Sequence, residues 1–310
     1  MRKERKCACP QSTFHAQVIS CHGRHHFVRD DQNRLFEAHR RGKKADVVVG
    51  DEVLCSAAVD NTVAIESVLE RKNLLFRQDE WRTKTLAANI DLLAIVYGSQ
   101  PRFNPWFIWR ALIAAHAAKV PAIVIRNKTD LEDGAQEADD FLRSLDALGY
   151  RTCRMSATEV DKTTQETLAE VFFNHKTLLV GQSGMGKSTI LNLLVKEANA
   201  KTQEYSQALN LGRQTTTVTT LYDLDDADGF VIDSPGFQEF GLSHLSLEDI
   251  VDAMPDFRSL VHKCRFADCK HLKEPDCAIK AAVAQGEISE ERYAFYVAIT
   301  EQMLRAKPQY

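Results

Sequence analysis

The chain has 310 residues, of which 44% are hydrophobic and 26% charged, a composition typical of a globular protein with room for two or three domains. No apolar run approaches the roughly 20 residues that a membrane-spanning helix needs, and no apolar segment follows the basic N-terminus as in a secretory signal. These features argue against a membrane protein, and we expect a cytoplasmic location.

Positive charge is concentrated at the N-terminus. The chain as a whole carries −4, but residues 1–44 hold eleven Lys and Arg against four Asp and Glu, a net +7. Five histidines also fall in this segment: His15, His22, His25, His26 and His39. A basic segment on an acidic body favours contact with RNA or DNA, although many basic tails are only solvated. We expect residues 1–12 to form a basic flexible arm.

Short runs of β-forming residues separated by turns follow this arm. They cover residues 14–20, 26–29, 35–38, 46–49, 52–56 and 62–69, with a polar connector at 77–85. Five or six short strands in so few residues predict a small closed barrel, and we assign residues 13–86 to an all-β OB-fold barrel. Such barrels often bind nucleic acid, but some are only packing modules.

The pattern changes near residue 87 to alternating strands and helices. Predicted strands are 90–97, 122–125, 150–155, 177–180, 221–224 and 229–232, and predicted helices are 105–119, 141–148, 163–173 and 189–196. The last two strands form an antiparallel pair through the turn at 225–228. This alternation predicts a parallel, doubly wound α/β domain, which we place at 87–245.

A phosphate-binding loop lies inside this domain. Residues 181–188 (GQSGMGKS) match G-x-x-x-x-G-K-S without a mismatch, after a predicted strand and before a predicted helix. Loop N–H groups and the positive end of the helix dipole would meet phosphate oxygens. Lys187 would reach the terminal phosphates, and the Ser188 hydroxyl would ligate Mg²⁺. The pattern predicts a nucleoside triphosphate site in preference to a simple helix-capping turn.

Residues 127–130 (NKTD) select guanine. They follow a predicted strand, and the Asp130 carboxylate would accept hydrogen bonds from guanine N1–H and the 2-amino group. Adenine offers neither donor there and would leave a buried acceptor unpaired. Ser156 and Ala157, after the strand at 150–155, resemble a weaker second guanine motif. The predicted nucleotide contacts are Asn127, Lys128, Thr129, Asp130, Ser156, Ala157, Gly181, Gln182, Ser183, Gly184, Met185, Gly186, Lys187, Ser188 and Thr189.

Two switch motifs follow the phosphate loop. Residues 233–236 (DSPG) match D-x-x-G, in which Asp233 holds Mg²⁺ through a water and the Gly236 N–H senses the γ-phosphate. A threonine run at 215–217 stands where a switch threonine ligates Mg²⁺. The pattern does not separate Thr216 from Thr217, and we take Thr217 as the candidate. With Lys187 and Ser188, these residues form the predicted catalytic set.

The order of these motifs is a circular permutation. An ordinary GTPase begins with the phosphate loop and places N-K-x-D fourth, whereas here N-K-x-D and Ser-Ala come first. The same pocket would be built from a permuted chain. The residue after D-x-x-G is Phe237, where Ras-type enzymes have a water-orienting Gln, so we expect slow intrinsic hydrolysis that a partner stimulates.

A cluster of metal-binding residue types follows near the C-terminus. Cys264, Cys269, His271 and Cys277 lie within fourteen residues, and three thiolates with one imidazole suit a structural, tetrahedral Zn²⁺. Three buried cysteines beside an unrelated histidine are the alternative, and His262 is a less well-spaced substitute ligand. We assign residues 246–310 to a small zinc-binding helical domain.

Together these features resemble one family, the ribosome small-subunit-dependent GTPase A family (RsgA, also called YjeQ). The resemblance runs from about residue 14 to about residue 300 and rests on the permuted motif order, the N-terminal barrel and the C-terminal Cys/His spacing. It also includes residues 71–75 (RKNLL), 87–91 (AANID) and 212–217 (GRQTTT). The family usually has histidine where this chain has Gln214, which leaves the role of that position open.

The resemblance implies a GTPase that acts late in maturation of the small (30S) ribosomal subunit. It implies that the barrel and zinc domain contact 16S rRNA and that the subunit stimulates hydrolysis. GTP or GDP, Mg²⁺ and one structural Zn²⁺ are the expected cofactors, and we expect a monomer. Two alternatives stay open: a GTP-dependent RNA-binding switch with a different partner, and a P-loop ATPase or kinase, against which the N-K-x-D motif argues.

Overall fold

The computed structural model describes residues 13–22, 25–40, 46–78, 83–196, 198, 218–235 and 237–306. The predicted N-terminal arm, the threonines at 215–217 and Gly236 lie outside these residues. Among the helices of the described part of the chain, none combines the length and the apolar composition needed to cross a membrane.

A closed five-stranded barrel forms the N-terminal part. Its strands are β1 (Phe14–His22), β2 (His25–Asp30), β3 (Leu35–Arg40), β4 (Glu52–Cys55) and β5 (Thr62–Val68). They are arranged in the order β1-β2-β3-β5-β4, and β4 pairs back with β1 to close the sheet. The β3–β5 pair is parallel and the other barrel pairs are antiparallel. The prediction of an OB-like barrel is confirmed.

The strand predicted at residues 46–49 is wrong. In this segment only Val49 makes an isolated bridge, to Ala87, and the backbone turns instead of extending. The buried Asp51 carboxylate causes the turn, because it accepts the Val48 N–H at 2.9 Å and pairs with Arg71 at 2.7 Å. Three successive valines imitate a strand locally, but a buried charged side chain decides the conformation.

The connector predicted at 77–85 is also wrong. A hairpin takes its place, formed by β6 (Leu74–Gln78) and β7 (Thr83–Ala88). Leu75 and Leu86 enter the main core, whereas most of the remaining side chains of the two strands are partly exposed. A two-stranded antiparallel ribbon with one face exposed to solvent contains few apolar residues, so its sequence resembles that of a polar linker.

An α/β unit follows the hairpin. Its strands are β8 (Leu92–Tyr97), β9 (Ala122–Arg126), β10 (Arg151–Arg154), β11 (Lys176–Gly181), β12 (Thr219–Asp223) and β13 (Phe230–Asp233). The order is β10-β9-β8-β11-β13-β12, parallel throughout except for the predicted antiparallel β12–β13 pair. All six residues of β8 are buried, as expected for a central strand covered on both faces.

The helices of this unit are α1 (Pro105–Ala117), α2 (Ala135–Ala147), α3 (Lys162–Phe172) and α4 (Lys187–Leu194). Helix α2 begins at Ala135, well before the predicted start at Phe141. Most side chains of its first two turns are at least partly exposed, so the apolar periodicity that predicts a helix appears only later.

Barrel and α/β unit share one continuous sheet, which the sequence does not reveal. Strand β1 pairs with β12, matching Ser20 with Thr220 and Cys21 with Thr219. Next to this pairing both faces of β1 are covered: Val18 lies in the barrel core and Ile19 in the main core. The segment that follows the switch threonines is therefore hydrogen-bonded directly to the barrel.

The C-terminal part is helical, as predicted. It contains α5 (Leu247–Asp252), α6 (Pro255–Arg258), a 3₁₀ turn at Val261–Lys263, α7 (Ala278–Ala284) and α8 (Glu290–Ala306). The buried Arg292 of α8 pairs with Asp256 at 3.0 Å and lies over the Trp109 ring of α1, 5.1 Å from its centroid. These contacts attach the C-terminal helices to the α/β unit. The exact domain boundaries stay a prediction.

Candidate functional site

The phosphate-loop motif occupies the turn between β11 and α4. Strand β11 is buried between two parallel neighbours, β8 and β13, and ends at Gly181. Gly184 and Gly186 have φ of 78° and 93°, the left-handed conformation that glycine adopts without strain. Ser188 and Thr189 are exposed in the first turn of α4, beside its positive dipole end. The loop has the geometry that a phosphate group requires.

Gly186 also allows another motif to approach closely. A Cβ atom at this position would lie 2.2 Å from Asn127 Nδ2, far closer than a Cβ approaches any non-bonded atom. Glycine is therefore required at position 186 both by the backbone angle and by the Asn127 amide packed against it.

Asn127 joins three motifs that are far apart in the chain. Its side chain is 1% exposed, its Nδ2 donates to the Met185 carbonyl at 2.9 Å, and its Oδ1 accepts the Ala157 N–H at 3.0 Å. N-K-x-D, the Ser-Ala dipeptide and the phosphate loop are thus hydrogen-bonded at one point. The structure brings together what the permuted sequence separates.

Asp130 is held ready to accept hydrogen bonds. The Ser156 hydroxyl donates to its Oδ1 at 2.5 Å, and this bond holds the pKa of the carboxyl below its usual value. Asp130 is exposed and so remains accessible to a ligand, while Ser156 is buried. Thr129 is fixed by its N–H, which donates to the Met155 carbonyl at 3.3 Å. A carboxylate presented in this way suits the N1–H and amino donors of guanine.

A loop that sequence reasoning missed lies over the site. It follows β8, where the Gln100 carbonyl accepts from Lys128 Nζ at 2.8 Å and the Asn104 N–H donates to Gln182 Oε1 at 2.7 Å. The carboxyl ends of parallel strands meet at one edge, so the segment after β8 was a candidate by topology alone. No motif marks it.

Lys187 and Asp233 face each other at the phosphate end. Lys187 Nζ donates to the carbonyls of Gly181 and Gln182 at 2.7 and 2.8 Å. Burial lowers the pKa of Lys187 and raises that of Asp233, while each charge stabilises the other. Burial thus disfavours both charges, and a polyanion with a divalent cation would supply the compensating partners.

Phe237 packs against the edge of the main core and is partly buried. The centroid of its ring lies 4.7 Å from that of Phe240 and 6.1 Å from that of Phe107. A phenyl ring offers no hydrogen bond to a water molecule. Gln238, one position later, is exposed. Thr217 and Gly236, which complete the predicted catalytic set, lie outside the described residues.

The four predicted metal ligands converge. The ligand atoms of Cys264, Cys269, His271 and Cys277 all lie within 4.8 Å of one another. His271 Nδ1 is 3.5 Å from the sulfurs of both Cys264 and Cys277. A tetrahedral zinc with Zn–S of about 2.3 Å and Zn–N of about 2.0–2.1 Å separates such ligands by about 3.5 Å. The donor set and its spacing fit zinc.

Outer groups hold this cluster in place. Glu274 accepts the backbone N–H groups of Lys270, Leu272 and Lys273 at 2.9–3.1 Å, and Tyr293 donates to the His271 carbonyl at 2.7 Å. Burial lowers the pKa of His271 and so favours the neutral imidazole that a metal binds.

Comparisons with known proteins agree with this geometry. The sequence model described as RsgA GTPase matches residues 68–243. The chain is 44% identical over 290 residues to the small ribosomal subunit biogenesis GTPase RsgA of Paraburkholderia phytofirmans, covering 92% of each chain. The chain belongs to the RsgA GTPase family. It is therefore a GTP-hydrolysing enzyme.

A further relative and two solved structures give the same picture. The Burkholderia pseudomallei protein of the same description is 45% identical over 287 residues, covering 92% of this chain and 91% of that protein. The crystal structure of YjeQ from Thermotoga maritima superposes with a TM-score of 0.69 at 28% identity, covering 96% of this chain and all of the other. YloQ, described as a circularly permuted GTPase, gives 0.65 at 26% identity, covering 96% and 98%. The predicted family and fold class are confirmed.

Proposed function

We propose that this protein binds the small ribosomal subunit and hydrolyses GTP to GDP and phosphate during late 30S maturation, with the subunit stimulating the reaction. The observation that carries the proposal is the junction at Asn127, where guanine and phosphate motifs meet in permuted order. The relatives' description as small ribosomal subunit biogenesis GTPases supports the choice of partner.

In this proposal the nucleotide lies along the carboxyl edge of β8, β9, β10 and β11. Asp130 accepts the guanine N1–H and amino group, and the Lys128 side chain covers the base. Residues 181–189 surround the phosphates, and Lys187 moves from the loop carbonyls to phosphate oxygens. Ser188, Asp233 and Thr217 are the proposed Mg²⁺ partners. The ion would neutralise charge that develops on the β- and γ-phosphates.

Hydrolysis without a partner is slow in this proposal. Phe237 offers no hydrogen bond to the attacking water, and its ring packs between other aromatic rings. Stimulation by the subunit follows if RNA or a ribosomal protein orders the catalytic water or the switch segment. Because β12 pairs with β1, an RNA contact on the barrel would act on the segment next to that switch.

We also propose that the Cys/His cluster holds one structural Zn²⁺ and that its surroundings contact 16S rRNA. Lys263, Arg265, Lys270 and Lys273 are exposed around the cluster, and the exposed Phe266 lies under the Arg265 guanidinium at 5.4 Å. Cations beside an accessible aromatic ring suit a phosphate backbone and unstacked bases. A cytoplasmic monomer with the domain limits given above completes the proposal.

The decisive experiment measures GTP turnover by the protein alone and with small subunits, large subunits or deproteinised RNA. We expect stimulation by small subunits alone, and its loss in Lys187→Ala. Lys162→Ala is the matched control, because Lys162 is an exposed lysine at the start of α3. ATP in place of GTP should give no turnover.

Equal turnover in every condition would refute the small subunit as partner. GTP-dependent binding to another RNA, without stimulation by small subunits, would instead support the alternative of an RNA-binding switch. Turnover of ATP but not GTP would refute the nucleotide assignment as well.

A further inference from the structure

A second group of metal-binding side chains lies on the barrel, far in sequence from the cysteines. His25 of β2 and Glu37 and His39 of β3 offer three ligand atoms within 4.8 Å of one another. His25 Nδ1 is 3.2 Å and His39 Nε2 is 3.4 Å from the same Glu37 oxygen, and the two imidazole rings are 5.0 Å apart. None of these residues has a role in the GTPase site.

The spacing fits a transition-metal ion. Metal–nitrogen and metal–oxygen bonds of about 2.0–2.2 Å place neighbouring ligands about 3.0–3.5 Å apart. The two nitrogen–oxygen separations, 3.2 and 3.4 Å, lie in this range. Both imidazoles are nearly half exposed, at 47% and 45%, and so have room to rotate. A small rotation can bring the His25 and His39 nitrogens within the same range of each other.

The backbone preorganises the group. His25 and His39 are directly paired across the β2–β3 ladder, and Glu37 precedes His39 by two residues, which places both on the same face of β3. The ligands thus belong to two hydrogen-bonded strands of a closed barrel, in which ligand positions vary less than in a loop.

We propose that His25, Glu37 and His39 form a second metal site, for a first-row divalent cation such as Zn²⁺. Two imidazoles and one carboxylate suit Zn²⁺, Ni²⁺ or Cu²⁺ and do not suit Mg²⁺ or Ca²⁺. Three protein ligands leave at least one coordination position for water or an external donor. Glu37 Oε1 already accepts a hydrogen bond from His25 Nδ1 at 3.2 Å and lies 3.4 Å from His39 Nε2, so one carboxylate oxygen stands between the two imidazoles.

The test is a Zn²⁺ titration of the full-length protein after one equivalent of Zn²⁺ has been bound, at a pH of about 7.5, where ordinary imidazoles are largely neutral. A chromophoric chelator reports free Zn²⁺. We expect a second equivalent to bind with micromolar affinity in the wild type. His39→Gln and Glu37→Gln should weaken this second step by about 10–100-fold or more, since even outer-shell changes cost that much.

His15→Gln is the matched control, because His15 is an exposed histidine of the same barrel outside the group. It should bind two equivalents like the wild type. Co²⁺ distinguishes the two sites: a thiolate site gives an intense near-ultraviolet charge-transfer band, whereas the second equivalent should add only weak visible bands. Millimolar Mg²⁺ should not compete.

A wild-type protein that binds only one equivalent would overturn the proposal and leave an ion-paired surface cluster. So would a second equivalent that persists unchanged in both His39→Gln and Glu37→Gln. Thermal unfolding and basal GTP turnover of the variants should stay close to the wild type, because the three side chains are partly exposed, at 31–47%, and lie outside the nucleotide site. The proposal is thus independent of the ribosomal partner.

Discussion

Replacing Asn127 by Ala tests the junction that builds the nucleotide site. The change removes two side-chain hydrogen bonds and leaves the buried Met185 carbonyl and Ala157 N–H without a partner. An unsatisfied buried group costs about 1–3 kcal/mol, so the binding-competent arrangement loses about 2–6 kcal/mol. Since water can enter an open pocket, we expect the lower end, which corresponds to a GDP affinity about 30-fold weaker.

The assay is a fluorescence titration with a labelled GDP analogue, with thermal unfolding measured in parallel. Asn192→Ala is the control, because Asn192 is exposed on α4. Asn127→Asp keeps the acceptor for Ala157 but places a carboxylate against the Met185 carbonyl, so it should bind at least as weakly as Asn127→Ala. If both Asn127 variants bind GDP within about twofold of the wild type, as surface substitutions do, the junction is not what holds the site.

Three further predictions concern the loop, the base and the metal. Gly186→Ala should abolish measurable GDP binding, because a Cβ would displace the Asn127 amide. Gly149→Ala is the control: it is also at positive φ but in open space, so it should cost only about 1–2 kcal/mol of folding stability. Equal GDP binding by the two variants would contradict the close-approach argument. Asp130→Asn should exchange preference for GTP for xanthosine triphosphate, measured by competition. The Ser156 hydrogen bond lowers the pKa of Asp130, so the Asp130 carboxylate stays ionised until the pH falls through that lowered pKa. The wild type should therefore keep its preference for guanine down to pH about 5. Chelation of zinc should make residues 261–277 sensitive to protease, with protection restored by added Zn²⁺; persistent protection in chelator would argue against a structural ion.

The nucleotide motifs were visible in the sequence because their chemistry demands particular residues at fixed spacings. A phosphate loop needs glycines where the backbone turns into left-handed angles, and Gly184 and Gly186 have those angles. The candidate metal ligands were visible for the same reason: their four atoms come from one short segment, so local spacing already limits their geometry. Strands such as β8 were predictable because both of their faces are buried.

Other features depend on partners that are distant in the chain, and only the tertiary structure decided them. Residues 46–49 turn because Arg71 and Asp51 pair, and the hairpin β6–β7 is stabilised by contacts of Leu75 and Leu86 with the main core. The antiparallel pairing of β1 with β12 joins strands about 200 residues apart in sequence. No local pattern encodes such a pairing.

The sequence by itself thus determined which motifs this protein carries: those that predict guanine recognition and phosphate binding, in a permuted order, and a set of predicted zinc ligands. The tertiary structure decided how these parts are connected. It showed that Asn127 fastens three motifs together, that the loop after β8 lies over the site, and that the barrel and the α/β unit share a sheet. The physical reason is that a motif of neighbouring residues can be read from their types and spacing, whereas contacts between distant segments form only when the whole chain packs.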